Sequence, residues 1–169
     1  MKNLFKRLLS KSNSACECEN YNHLQFNRKE ISQRIKESKK IIRTLTPLTQ
    51  TENGHRLFKC KNCNQYWQQS CAWNWDGKSY LFKVPDIEIK EWEKEQFASP
   101  ADLLIYSNLM EDYFSKNTFK EIDIKCKILE CNNKSIDKGV LCKTHFIENL
   151  QEFNLLPKMP KGKLFEPYH

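Results

Sequence analysis

Long apolar runs are missing from this sequence of 169 residues: no stretch approaches the eighteen or so apolar residues that a membrane-crossing helix requires. Glycine is scarce, four residues in all, and none belongs to a Gly-rich loop of the kind that cradles phosphates. There is no His-Glu-x-x-His pair and no Ser/His/Asp constellation with supporting context. These absences exclude membrane-spanning, P-loop, zincin-protease and triad-hydrolase readings. The first ten residues, Met1 to Ser10, are basic but contain only two-residue apolar steps, short of the apolar core of a secretory signal. Eight cysteines without such a signal point to a reducing compartment, where thiolates hold metal instead of pairing. The expectation is a cytoplasmic, non-enzymatic protein with no membrane partner.

What is abundant is cysteine, aromatic area and positive charge. Twenty Phe, Trp and Tyr residues supply buriable surface to a chain with 29% charged residues, and bound metal supplies the rest of the stabilisation. The formal charge is +7, but thiolates on two metal ions reduce it to about +4, because ligating cysteines are deprotonated. The charge is unevenly spread. Residues 1–43 carry eleven Lys and Arg against four Glu, while residues 86–112 carry eight acids against two Lys. An acidic island in a basic chain reads as a patterned contact surface more than a uniform phosphate-binding face.

The strongest motif is Cys126-x4-Cys131-x10-Cys142-x2-His145. Three thiols and one imidazole within twenty residues have the number and type of ligands of a closed tetrahedral zinc site, which is structural, since a catalytic zinc keeps one position open. Cys60-Lys-Asn-Cys63 at the end of a strand-like segment, with Asn64 free to turn left-handed, is a second knuckle. Cys16 and Cys18 are its natural partners, with Cys71, His55 or His23 as the replacements that spacing also permits. A redox reading of this Cys-x-x-Cys lacks the helix-opening context that such chemistry uses. Two zinc ions are therefore expected.

The pattern around these ligands predicts an α+β protein: a small antiparallel hairpin or sheet after the zinc knuckle, packed with several helices and a C-terminal Cys3His finger. Residues 1–14 read as a basic N-terminal helix or tail, with Leu4, Phe5, Leu8 and Leu9 on one face. Residues 15–85 hold a helix and the knuckle hairpin. The helix is expected over 24–45, with Ile31, Ile35, Ile42 and Leu45 on one face, ending before Pro47. Asp76-Gly77 marks a tight turn. Residues 86–155 form a helical region with the finger, Asp86 capping a helix over 87–97 and Ser99-Pro100 opening the next. Residues 156–169 read as an extended tail whose Leu164-Phe165 folds back on the body. The aromatic run from Tyr66 to Phe82 reads mainly as core, although exposed rings of this kind also stack bases.

The C-terminal fingerprint resembles the short Cys3His fingers appended to bacterial and phage proteins, including some HNH nucleases, whose His-rich nuclease core is missing here. Cys16-Glu-Cys18, the segment Arg56 to Trp67, Tyr80 to Pro85, Trp92 and the finger together look like small bacterial zinc-binding proteins of largely unassigned role, some of them encoded beside toxins in the position of an immunity protein. The resemblance implies metal binding and a protein partner, a toxin or effector. Acids Glu88, Glu91, Glu95 and Asp102 are the expected partner-binding residues, since complementary charge sets association rate and specificity. The alternative is a zinc-dependent nucleic-acid-binding protein that uses the basic N-terminal helix and the knuckle.

Overall fold

The computed structural model describes residues 16–168; the basic segment expected to form a helix near the N-terminus lies outside them, as does His169. Four strands form one antiparallel sheet in chain order: β1 (Leu45–Gln50), β2 (Arg56–Cys60), β3 (Tyr66–Ala72) and β4 (Lys78–Val84). The turns between them use residues that tolerate a left-handed backbone: Gly54 at φ 82° after β1, Asn64 at 62° after β2, and Asp76 and Gly77 at 57° and 65° after β3. Alternation along the strands then feeds two cores. Leu57, Tyr80, Phe82 and Val84 join one cluster, and Phe58, Cys60, Trp67 and Leu81 the other.

Helix α1 (Arg28–Ile41) begins behind Asn27, whose side chain accepts the Glu30 N–H at 2.8 Å. It is shorter than expected, and its buried stripe is Ile31, Arg34, Ser38 and Ile41, with Ile35 and Ile42 half-buried. The reason is the sheet edge. β4 is an outer strand, and the Leu81 N–H donates to Ser38 Oγ at 2.9 Å while Arg34 donates to the Leu81 carbonyl at 3.4 Å. Two polar residues therefore face inward because they satisfy backbone groups that an edge strand leaves unpaired. Leu45 opens β1 instead of closing the helix, and Pro47 is accommodated in this opposite edge strand, next to a register shift between Pro47 and Thr49.

Helix α2 (Ile89–Lys94) is also shorter than expected, starting behind Glu88 and not Asp86. It is fastened by Trp92, which is fully buried and donates its indole N–H to Gln68 Oε1 at 2.8 Å. The same oxygen accepts the Phe97 N–H at 3.0 Å, while the Gln68 amide nitrogen donates to the Phe97 carbonyl at 2.8 Å and to Ser70 Oγ at 3.1 Å. Helix α3 (Pro100–Lys116) opens at Ser99 as the sequence indicates. Its first turns are core, through Ala101, Leu103 and Leu104. The Ala101 N–H donates to the Tyr80 hydroxyl at 2.9 Å, whereas Ser107, Asn108 and Leu109 already face solvent.

Beyond α3 lies a two-stranded hairpin absent from the sequence-based expectation, β5 (Glu121–Lys125) with β6 (Lys134–Ile136), followed by α4 (Lys143–Glu152). Phe119 joins this lobe to α3, its ring centre 5.9 Å from Phe114 and 6.2 Å from Phe146. The C-terminal segment returns to the sheet as expected. Lys163 pairs with the Gln96–Ala98 backbone at 2.9 and 3.0 Å, and Phe165 packs against Phe97 with centroids 4.9 Å apart. Gly162 makes this approach possible, since a Cβ there would lie 2.6 Å from the Ala98 nitrogen. The architecture is α+β, a four-stranded antiparallel sheet and a two-stranded hairpin packed with helices. Among the described residues no helix is long and apolar enough to cross a membrane.

Candidate metal centres

The first centre forms where the chain's first described residues meet the β2–β3 turn. Cys16 and Cys18 flank the start of a short 3-10 turn at Glu17–Asn20, and the Cys18 N–H donates to Cys16 Sγ at 3.3 Å. Across from them, Cys60 ends β2 and its N–H donates to the Gln65 carbonyl at 2.8 Å, which closes the knuckle around left-handed Asn64. The four ligand atoms of Cys16, Cys18, Cys60 and Cys63 lie within 4.8 Å of one another, with Cys16 Sγ 3.6 Å from Cys60 Sγ. Three of these residues are shielded to some degree, whereas Cys63 is exposed.

The second centre is built by the β5–β6 hairpin and the start of α4. The Cys126 N–H donates to the Asn133 carbonyl at 3.0 Å and the Cys131 N–H to the Ile128 carbonyl at 3.2 Å, with left-handed Glu130 between them. Cys142 stands just before α4 and His145 lies in its first turn. His145 Nδ1 is 3.3 Å from both Cys126 Sγ and Cys142 Sγ, and Cys131 Sγ is 3.9 Å from Cys142 Sγ. All four ligand atoms again lie within 4.8 Å of one another.

No protein-family profile, curated protein or solved structure matches this chain. The nature of the centres therefore rests on donor chemistry and spacing. A tetrahedral zinc with Zn–S bonds of about 2.3 Å sets its sulfurs about 3.8 Å apart and a sulfur and an imidazole nitrogen about 3.5 Å apart. The observed separations of 3.6 and 3.9 Å between sulfurs and 3.3 Å between sulfur and nitrogen match that figure. A disulfide needs about 2.05 Å, so none of these pairs is one.

Neighbouring groups favour the thiolate at Cys60, Cys126 and Cys142, whereas Cys16, Cys18 and Cys131 are held above the ordinary thiol value. At Cys60, burial pushes the thiol up, yet the backbone N–H groups of Cys63 and Asn62 outweigh it and hold the value down to about 7. Cys126 behaves alike: burial raises it, and the N–H groups of Cys142 and Ile128 bring it down to about 6. Burial raises Cys18, countered by the Trp67 indole. That indole N–H is fully buried and has no hydrogen-bond partner of ordinary geometry among the described residues, so a thiolate at Cys18 is the acceptor it fits. At the second centre, Nδ1 of His145 faces the sulfurs, and Nε2 lies 3.9 Å from a Glu148 carboxylate oxygen, beyond hydrogen-bond distance.

The alternatives to the first ligand set stand apart. Cys71 lies on β3 outside the cluster, His55 bonds to Ser70 Oγ at 2.9 Å, and His23 lines a cavity beside the centre without joining it. The acidic residues are placed in two ways. Glu88, Glu91 and Glu95 are exposed on α2 and at its ends, with Glu91 paired to Lys94 at 2.6 Å. Asp102 is half-buried and lines a cleft of about 630 Å³ with Glu95, His55 and Lys161. Burial raises its carboxyl above the ordinary range against a lowering bond from Ser99. Sequence reasoning missed the Gln68 network and the role of Trp67 near Cys18. The only signal for either was a Trp-Gln pair inside a strand, which carries no spacing information.

Proposed function

We propose that this is a non-enzymatic zinc protein that acts by binding another protein, most specifically an immunity protein that occludes a cognate bacterial toxin. The observation that supports it is the rigid acidic presentation of α2. Asp86, Glu88, Glu91, Glu93 and Glu95 are exposed around one helix, and Trp92 nails that helix to the sheet through Gln68. A charged surface with little conformational freedom loses little entropy on binding and steers a basic partner. Two complete four-ligand sets support a stapling role for both metals, since neither leaves a position for substrate.

The test is co-expression with the product of a neighbouring toxin gene. The zinc-loaded wild type restores growth and co-purifies with the toxin, and a Glu88→Lys, Glu91→Lys, Glu95→Lys variant with two zinc ions and unchanged melting temperature does neither. Failure of the wild type to bind or protect sinks the reading, as does full activity of the triple variant.

A further inference from the structure

A groove of about 560 Å³, lined by no residue of the acidic helix, runs between α1 and the β3–β4 hairpin. Ile35 and Ile42 line it together with Lys36, Lys39 and Lys78, and among the described residues no carboxylate does. The acids nearby are committed elsewhere. Glu37 pairs with Arg34 at 3.3 Å and accepts from Gln33 at 2.9 Å, and Glu17 takes Lys40 at 3.1 Å. Lys36 and Lys39 are exposed and enter no ion pair among the described residues. Lys78 reaches only Asp76, itself open to solvent, at 3.3 Å.

Trp73 stands at the same end of the hairpin. Ala72 pairs with Lys78, so the next residue emerges beside that lysine, and Trp73 is 73% exposed. The tip that carries it is pinned. Trp75 donates its indole N–H to Ser32 Oγ at 2.9 Å, Arg28 lies 4.5 Å over the Trp75 ring, and Arg28 also donates to the Asn74 carbonyl at 3.3 Å. A large ring held out in water on a fixed tip is an uncommon use of tryptophan, and one beside Lys78, which opens onto the same groove as the unpaired Lys36 and Lys39, suits a stacking partner with negative charge.

We infer that this groove binds single-stranded nucleic acid, an unpaired base stacking on Trp73 and the following phosphates meeting Lys78, Lys36 and Lys39. An acidic peptide satisfies the charge but not the tryptophan: a peptide inserts its anchors into a pocket, whereas Trp73 protrudes as a flat platform. The surface is independent of the protein-binding reading, which uses α2.

The test uses the full zinc-loaded chain and a fluorescent twelve-nucleotide RNA or DNA strand in an anisotropy titration. Three phosphate contacts at about 0.7 released counterions each give a log–log salt slope of about −2, so affinity falls about 20-fold between 50 and 200 mM salt. Trp73→Ala weakens binding about tenfold, the size of one lost base stack. The double variant K36E/K39E abolishes it, and both variants keep two zinc ions and their melting temperature because the altered side chains are exposed. No binding at 50 mM salt overturns the inference. So does binding that neither variant weakens, a preference for duplex, or stronger capture of a leucine-containing polyglutamate peptide than of either strand.

Discussion

The finger is the part of the molecule most dependent on its metal. From residue 117 to residue 152 only Cys126, Ser135, Ile136 and Cys142 are buried, and no residue of α4 is. Two of those four are metal ligands, which leaves Ile136 as the one large apolar side chain fully enclosed there. Burying an isoleucine contributes about 1.5–3 kcal/mol, and each ring contact of Phe119 about 0.5–1.5 kcal/mol. A structural zinc in a small finger contributes about 10–16 kcal/mol, so it dominates. Cys131→Ser, at a half-exposed ligand where serine leaves no cavity, is expected to reduce zinc from two ions per chain to one and to unfold this lobe alone. The chain offers a clean readout, since its tryptophans are Trp67, Trp73, Trp75 and Trp92, all before the finger. Tryptophan emission should stay native while amide exchange across β5, β6 and α4 rises to unprotected rates. Retained protection of the α4 amides in the variant would refute the reasoning.

Three further outcomes are expected. Gln68→Leu strands the Trp92 indole N–H and both Phe97 backbone groups, each at about 1–3 kcal/mol; calorimetry should show a melting temperature lower by roughly 10 °C, and a change within 2 °C would show the network to be dispensable. Gly162→Ala places a Cβ 2.6 Å from the Ala98 nitrogen at a φ of +124°, so limited proteolysis should cut the 157–163 segment far faster than in the wild type. Burial lowers the His55 pKa from its ordinary 6.5. The folded form then binds fewer protons than the unfolded chain, so stability is lost as pH falls below 6.5. Thermal melts across that window should show a shallower pH dependence for His55→Gln, and superimposable slopes would contradict the assignment.

Local chemistry carried most of what the sequence made legible. The ligand spacings, the Asn64 and Asp76-Gly77 turns and the Ser99-Pro100 helix start depend on residues adjacent in the chain, and the structure has the turns and the helix start where they were expected. What was not legible depends on tertiary demand. Arg34 and Ser38 face inward because the Leu81 backbone at a sheet edge requires partners, and no helical periodicity encodes that. β5 carries little alternation because it is almost wholly exposed, and β6 is only three residues long with Ser135 and Ile136 buried in succession, so neither has the period of a half-buried strand. Gln68 is buried because three groups, the Trp92 indole N–H and both Phe97 backbone groups, converge on it from 24 and 29 residues along the chain. In the aromatic run, Trp67, Tyr80 and Phe82 are core as expected, and Trp73 is the exception.

The pairing of Lys163 with the Gln96–Ala98 backbone has a topological consequence. It places the two ends of the intervening stretch side by side, so α3, the finger and α4 form one excursion that leaves the sheet and returns to the same point. A helix of 17 residues carries the finger about 25 Å outward, like a boom from a mast. The lobe at its end is thus expected to behave as a cassette: trimming the excursion beyond the buried first turns of α3 should leave the sheet with its own cysteine cluster, its own core and the returning Lys163–Phe165 segment.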